Sequence, residues 1–316
     1  MLKPTSDATL YVVGNINIDL IMGTLDHWPA RGTEAMLDHS ALRPGGSAGN
    51  CALALAALGT PHRAVANQGD DHFSSWLAEY FAASAPFWPR YACETSLTVG
   101  LTHPDNERTF FSNQGHIVRL TRQDVLVQLP SKAIPGDIVL LCGTFLCLQL
   151  FNEYPELLAA LRQRGFKVAV DTGWPPQGWS NELRQQIARW LGNCDYLLLN
   201  EVETLGLAQG DDLAQAGQAL AAQLADGGAC VIKRGGEGAM VCDAGGPFSC
   251  AADRVTIIDT IGAGDSFNAG FLSALLYGYN RHQALRWGIR VASQAISSSP
   301  RQYPDRASLQ SFAGEE

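Results

Sequence analysis

Residues 259–270 read Asp-Thr-Ile-Gly-Ala-Gly-Asp-Ser-Phe-Asn-Ala-Gly, an order of side chains suited to moving a charged group. Gly262 and Gly264 flank Ala263 and let the chain turn sharply. A β-type run at 255–258 precedes the turn, and a helical pattern follows with Phe267, Phe271, Leu275 and Tyr279 on one stripe. A helix start leaves N–H groups without intrahelical partners, so the turn suits phosphoryl oxygens. Asp265 stands where it could take the proton of a hydroxyl attacking a phosphate. A carboxylate beside an anion hole repels the anion, so it makes sense if a neutral alcohol must be oriented between them. A first-turn carboxylate that merely stabilises the helix dipole fits this segment equally well.

Residues 44–50, Pro-Gly-Gly-Ser-Ala-Gly-Asn, open an apolar helical stretch over 51–58. The glycines permit close approach of a ligand to backbone, and Asn50 offers both a donor and an acceptor. The segment lacks the Lys-Ser/Thr ending of a P-loop, and no G-x-G-x-x-G follows the first strand. Gly-Gly before a helix is also a common plain turn, so this segment decides nothing by itself.

Such residues need a scaffold, and the chain has the length and composition for one large α/β domain or two smaller ones. It has 316 residues, 46% of them hydrophobic and 17% charged, enough to bury a sizeable core. The net charge of −9 and the lack of any Lys/Arg-rich run argue against a nucleic-acid backbone or an anionic membrane as partner. Short apolar runs at 10–14, 138–142, 168–171, 196–199 and 230–233 read as buried strands. Helical stretches at 49–59, 154–164, 183–191 and 213–224 alternate with them. This rhythm predicts a mostly parallel sheet with helices on both faces. The longest apolar stretch, 138–150, is too short to span a bilayer and reads as a strand leading into a turn. No secretory signal pattern is evident. The eight cysteines are scattered, without a C-x-x-C pair or zinc spacing, as expected of buried thiols in a cytoplasmic protein.

Two segments break the rhythm. Residues 15–43 and 96–116 alternate polar and apolar residues among turn formers, and each could supply antiparallel strands outside the main sheet. Together they could form a lid over a cleft, or they could be plain surface hairpins.

In order along the chain, these segments resemble the ribokinase-like (PfkB) carbohydrate kinase family, and the likeness covers nearly the whole sequence. Residues 14–19, Gly-Asn-Ile-Asn-Ile-Asp, are similar to the family's opening strand end, which implies that Asn17 and Asp19 hold sugar hydroxyls. Gly45, Gly46 and Asn50 match its first signature, which lines the substrate site. Asn200-Glu-Val-Glu203 matches an Asn-x-x-Glu element, implying nucleotide contact by Asn200 and a magnesium held through water by Glu203. Lys233, Gly235, Gly236 and Gly238 lie in a strand-and-turn segment that resembles the one beside the nucleotide. Residues 259–270 match the second signature, with Gly262, Ala263 and Gly264 as anion hole, Asp265 as catalytic base and Asn268 on the nucleotide side.

The resemblance implies a ribokinase-like three-layer α/β/α sandwich, one domain over 1–316, with a mostly parallel central sheet. Segments near 15–43 and 96–116 would form a small β-sheet lid, with 105–108 as a hairpin turn. It implies ATP and Mg2+ as cofactors, transfer to a primary hydroxyl of a sugar or nucleoside, and a homodimer through the lid. A phosphosugar substrate would need convergent basic groups. Arg31, Arg43 and Arg108 are candidates, although plain solvation is the other fate for each. A non-catalytic sensor on the same scaffold would not require the base. The chain departs from the family where ribokinase has a lysine, at Ser47, and at residues 297–301 in the C-terminal nucleotide region. Trp28, Phe110 and Phe111 could stack on a base or form lid core.

Overall fold

The structure, a computed structural model, describes residues 7–104 and 108–312. Its main sheet is built from the short apolar runs. The strands β1 (Leu10–Val13), β4 (His62–Val65), β7 (Ile138–Leu141), β8 (Lys167–Val170), β9 (Tyr196–Asn200) and β10 (Ala229–Lys233) pair in parallel in the order β10-β9-β8-β7-β1-β4. An antiparallel pair, β11 (Ala239–Asp243) and β12 (Gly246–Cys250), extends one edge. The strands are apolar on both faces because both faces are covered. Leu10, Val12, Ile138 and Leu140 point into a core roofed by helices Ser47–Ala57, Ala263–Leu276 and Arg281–Ile296. Tyr11, Val13, Val139 and Leu141 point the other way, against helices Tyr154–Gln163 and Asn181–Leu191.

A second sheet joins β2 (Asn17–Gly23), β3 (His39–Gly45), β5 (Leu97–Thr102) and β6 (Arg108–Ser112) in the order β3-β2-β5-β6. The two irregular segments do leave the main sheet, but the pairing is mixed: β2 and β5 run parallel, and only the outer pairs are antiparallel. The turn expected at 105–108 falls largely outside the described residues, since only Arg108 of it is described. His116 ties the sheet's base to the main body. Its Nδ1 accepts from the Ser96 amide at 3.0 Å and its Nε2 donates to the Ile16 carbonyl at 3.1 Å. Burial holds this imidazole neutral, lowering it to about 4.

Several expectations need correction. Residues 255–258 form no strand: they run alongside helix Arg281–Ile296, where the amides of Ile258 and Asp259 both reach the Ile296 carbonyl. Val255, Ile257 and Ile258 stay exposed, and β propensity without a neighbouring edge to pair does not make a strand. The helix after the Gly-Ala-Gly turn stops at Leu276, because Gly278 takes a positive φ of 83°, so Tyr279 lies beyond the stripe. Trp28, Phe110 and Phe111 are not lid core, being 57%, 51% and 51% exposed.

Candidate active site

The C-terminal ends of parallel strands in an open α/β sheet form a crevice, and here four of the six parallel strands deliver a polar residue at or just past that end. Asn15 follows β1, Asp171 follows β8, Asn200 closes β9 and Lys233 closes β10. Helix Ala263–Leu276 starts over the same edge. Gly262 caps it with φ 70° and ψ 14°, a left-handed conformation that a side chain resists. A Cβ there would also press on the Asn50 amide and the Arg301 guanidinium, each at 3.0 Å. The Ala263 amide bends back to the Thr260 carbonyl at 3.2 Å, so the amides that open the anion site are those deeper in the first turn.

Asp265 is partly exposed to this crevice and accepts from Asn50 Nδ2 at 2.9 Å. That bond joins the two glycine-rich segments, which are 215 residues apart in sequence. Asn50, expected from the resemblance to line the substrate site, is thereby turned toward the carboxylate. Burial pushes the Asp265 carboxyl up to about 7, and the Asp171 charge adds to the rise. The Asn50 bond and the charges of Lys233 and Arg301 pull the other way. A carboxyl poised near neutrality suits a general base.

Asp171 was missed by the sequence reading, where it appeared only as the end of a strand. Its Oδ2 accepts from Lys233 Nζ at 2.6 Å and from Asn268 Nδ2 at 2.5 Å. Asn268 is therefore buried one turn behind Asp265 and packed inward, not presented at the mouth of the crevice. Burial opposes the Lys233 charge, but Asp171 and Glu203 more than offset it, and its pKa is raised. Lys233 Nζ would sit 3.4 Å from a Cβ at Gly264, which places the ammonium beside the turn. The sequence offered only a partial signal: an acidic residue ending one buried strand and a lysine ending another each need a partner of opposite charge, without saying that they pair with each other.

Asn200 and Glu203 form a reciprocal helix cap, each side chain accepting from the other's amide at 2.8 Å. Burial raises the Glu203 pKa, and the nearby Asp171 charge adds to it. Among the described residues no group of three or more His, Cys, Asp or Glu side chains is arranged to hold a metal. Two buried carboxylates and an amide nonetheless fit a magnesium carried on phosphates and held through water, while the Lys233 ammonium suits the phosphate oxygens themselves. Gly235 and Gly236 face open space in an exposed turn, whereas a Cβ at Gly238 would strike the Cys250 carbonyl, so Gly238 serves chain packing.

Asn15, Asn17, Asp19, Gly45 and Gly46 lie together in one cluster. Asn17 Nδ2 donates to Asp19 Oδ1 at 2.9 Å, and Asn15 Nδ2 donates to Asn17 Oδ1 at 3.0 Å. Gly45 and Gly46 leave room for them: a Cβ on the first would strike the Asp19 carboxyl, and on the second, at φ 83°, Asn17 Oδ1. Burial raises the Asp19 pKa, with Arg43, the Asn17 bond and Arg301 acting against it. Of the candidate arginines, Arg31 is exposed, while Arg43 and Arg108 both reach Asp259, at 2.7 and 3.1 Å.

The chain and its fold have known counterparts. The model for "pfkB family carbohydrate kinase" matches residues 7–307. The 2-dehydro-3-deoxygluconokinase of Escherichia coli K12 is 31% identical over 254 residues, covering 72% of this chain and 78% of that protein. The fold is similar to Arabidopsis thaliana ribokinase complexed with ribose and ATP, with TM-score 0.77 and 21% identity over 98% of this chain and 99% of that one. It is similar also to a putative ribokinase II of E. coli in complex with ATP and Mg2+, with TM-score 0.79 and 17% identity over 98% of this chain and 100% of that one.

Proposed function

The chain belongs to the PfkB family of carbohydrate kinases, and on that premise we propose that Asp265 is the general base by which it phosphorylates a sugar from ATP. The observation that carries this is the carboxyl held near neutrality beside an open helix start, with Asn50 fixing one of its oxygens. Asp265 takes the proton of a sugar hydroxyl as that oxygen bonds to the γ-phosphorus, and the bond to the leaving ADP oxygen breaks. First-turn amides after Gly262 and the Lys233 ammonium stabilise the charge on the phosphoryl oxygens. Phosphoryl transfer depends mainly on such positioning and electrostatics. Magnesium, when bound with ATP, would neutralise phosphate charge, with Glu203 and Asn200 holding its waters. Asn17 and Asp19 orient the sugar. The second sheet acts as a lid that excludes water.

The outer face of that sheet supports pairing of two copies. Leu42, Leu20, Val99 and Phe111 stand in one cross-strand row, and Trp28 packs edge-on against Phe111 at 6.0 Å. ATP as donor and the cysteines present as free thiols support a cytoplasmic location. Among the described residues no helix is long and apolar enough to cross a membrane.

The test is ADP release with Mg-ATP against a sugar panel, with Asp265→Ala as control. Turnover should fall about a hundredfold or more in the variant. Near-normal turnover there would remove Asp265 from the role.

A further inference from the structure

The sugar-facing side of the second sheet carries more positive charge than a neutral polyol needs. Arg43 Nη1, Arg108 Nη1 and Arg301 Nη2 lie 2.7, 3.1 and 3.5 Å from the carboxylate of one residue, Asp259. All three guanidinium groups are largely buried, and Arg43 Nη2 and Arg301 Nε have no hydrogen-bond partner. Buried donors without acceptors are costly, and one carboxylate cannot balance three cations. Asp19 and Asp265 also face the cluster, yet burial opposes the charged form of both.

The position of the arginines says which ligand they serve. Arg43 sits directly opposite Asp19 in the β2–β3 ladder, so it shares the face that presents Asn17 and Asp19. Arg108 opens β6, where it pairs with Thr102 on the same face. Arg301 borders the Gly262 turn beside Asn50, between the sugar side and the phosphoryl side. The triphosphate side has its own cation in Lys233, which is bonded to Asp171. We infer that the sugar substrate bears an acidic group, a carboxylate or a phosphoester, held by Arg43 and Arg108 with Arg301 behind them. Planar guanidinium forks match either group, and they already grip a carboxylate in Asp259.

This inference rests on the sugar-kinase reading above, and the experiment separates the two. Calorimetric binding and ADP release are measured for gluconate and 2-keto-3-deoxygluconate against glucitol, and for fructose 6-phosphate against fructose. Wild-type protein should bind one acidic compound about tenfold to a hundredfold more tightly than its neutral counterpart. The Arg43→Gln/Arg108→Gln protein should lose most of that advantage, and the Arg43→Lys/Arg108→Lys protein should keep part of it, which guards against simple misfolding. Preference for the sugar acid or for the phosphoester identifies the group. Equal or better binding of the neutral sugars, or an advantage that survives the double Gln change, overturns the inference. Turnover of neutral sugars alone would leave the kinase reading standing without it. Binding of an acid with no ADP release would do the reverse.

Discussion

The two sides of the crevice are built in different ways. On the side proposed for the phosphoryl group, Asp265, Asn268, Lys233 and Asp171 come from a helix start and two strand ends of a sheet buried on both faces. Their polar atoms are paired at short distances, and the donors proposed to face the phosphoryl group are main-chain amides at a left-handed turn that favours glycine. On the side proposed to hold the sugar, Asn17, Asp19, Arg43 and Arg108 ride on a four-stranded sheet whose rim is exposed and which presents side chains. A backbone anion site accepts any phosphoryl group, so it demands little of the rest of the chain. A side-chain surface discriminates, because each change of residue alters which hydroxyl or charge is satisfied.

Four substitutions sharpen or break that contrast. Asp265→Asn should have the largest effect, lowering kcat by about a hundredfold or more while leaving sugar binding largely intact. It should also abolish the acidic limb of the pH profile, in which wild-type activity rises with pH as the carboxyl, raised to about 7, loses its proton. If that limb persists in the variant, another group titrates. Next comes Asp171→Asn, which leaves the buried Lys233 ammonium without its anionic partner and should cost about 3 kcal/mol in chemical denaturation. Because the Asp171 charge helps raise Asp265, any surviving activity should have its acidic limb moved to lower pH. A limb moved upward would contradict the electrostatic picture.

Gly46→Ala acts on the sugar side. It places a Cβ at φ 83° against Asn17 and should cost about 1–3 kcal/mol, with KM for the sugar rising more than KM for ATP. Equal changes in both would mean that the two sides are not separable. Smallest is Phe111→Ser on the outer face, expected to change monomer stability by about 0.5 kcal/mol or less. Sedimentation should nevertheless show weaker self-association, since the change interrupts the apolar row from Leu42 to Phe111. An unchanged sedimentation profile would place any dimer elsewhere.

How much of this was legible beforehand follows the same division. The glycine turns and the apolar strand runs could be read from local order, because turn chemistry and burial periodicity are properties of neighbouring residues, whereas Asp265 as base followed only from the family resemblance. The 255–258 run misled, since β-branched residues predict a strand only when an edge is there to accept it, and helix Arg281–Ile296 lies alongside instead. Phe110 and Phe111 could not be assigned from composition. As neighbours on one strand they point to opposite faces, the first opposite Gly100 and the second opposite Val99.

The sequence by itself therefore determined the layered α/β scaffold and the glycine turn before Asp265, both encoded in short local patterns, and it marked Asp265 as the proposed base only through the resemblance of several motifs taken in order. Only the tertiary structure decided that Asn50 holds Asp265, that Asp171 joins Lys233 to Asn268, and that arginines from three distant segments meet on Asp259. These pairings span long stretches of chain, and a charged side chain finds its partner through the packing of strands and helices between them. No local rule carries that information, because the electrostatic environment of a group is set by what the fold brings beside it.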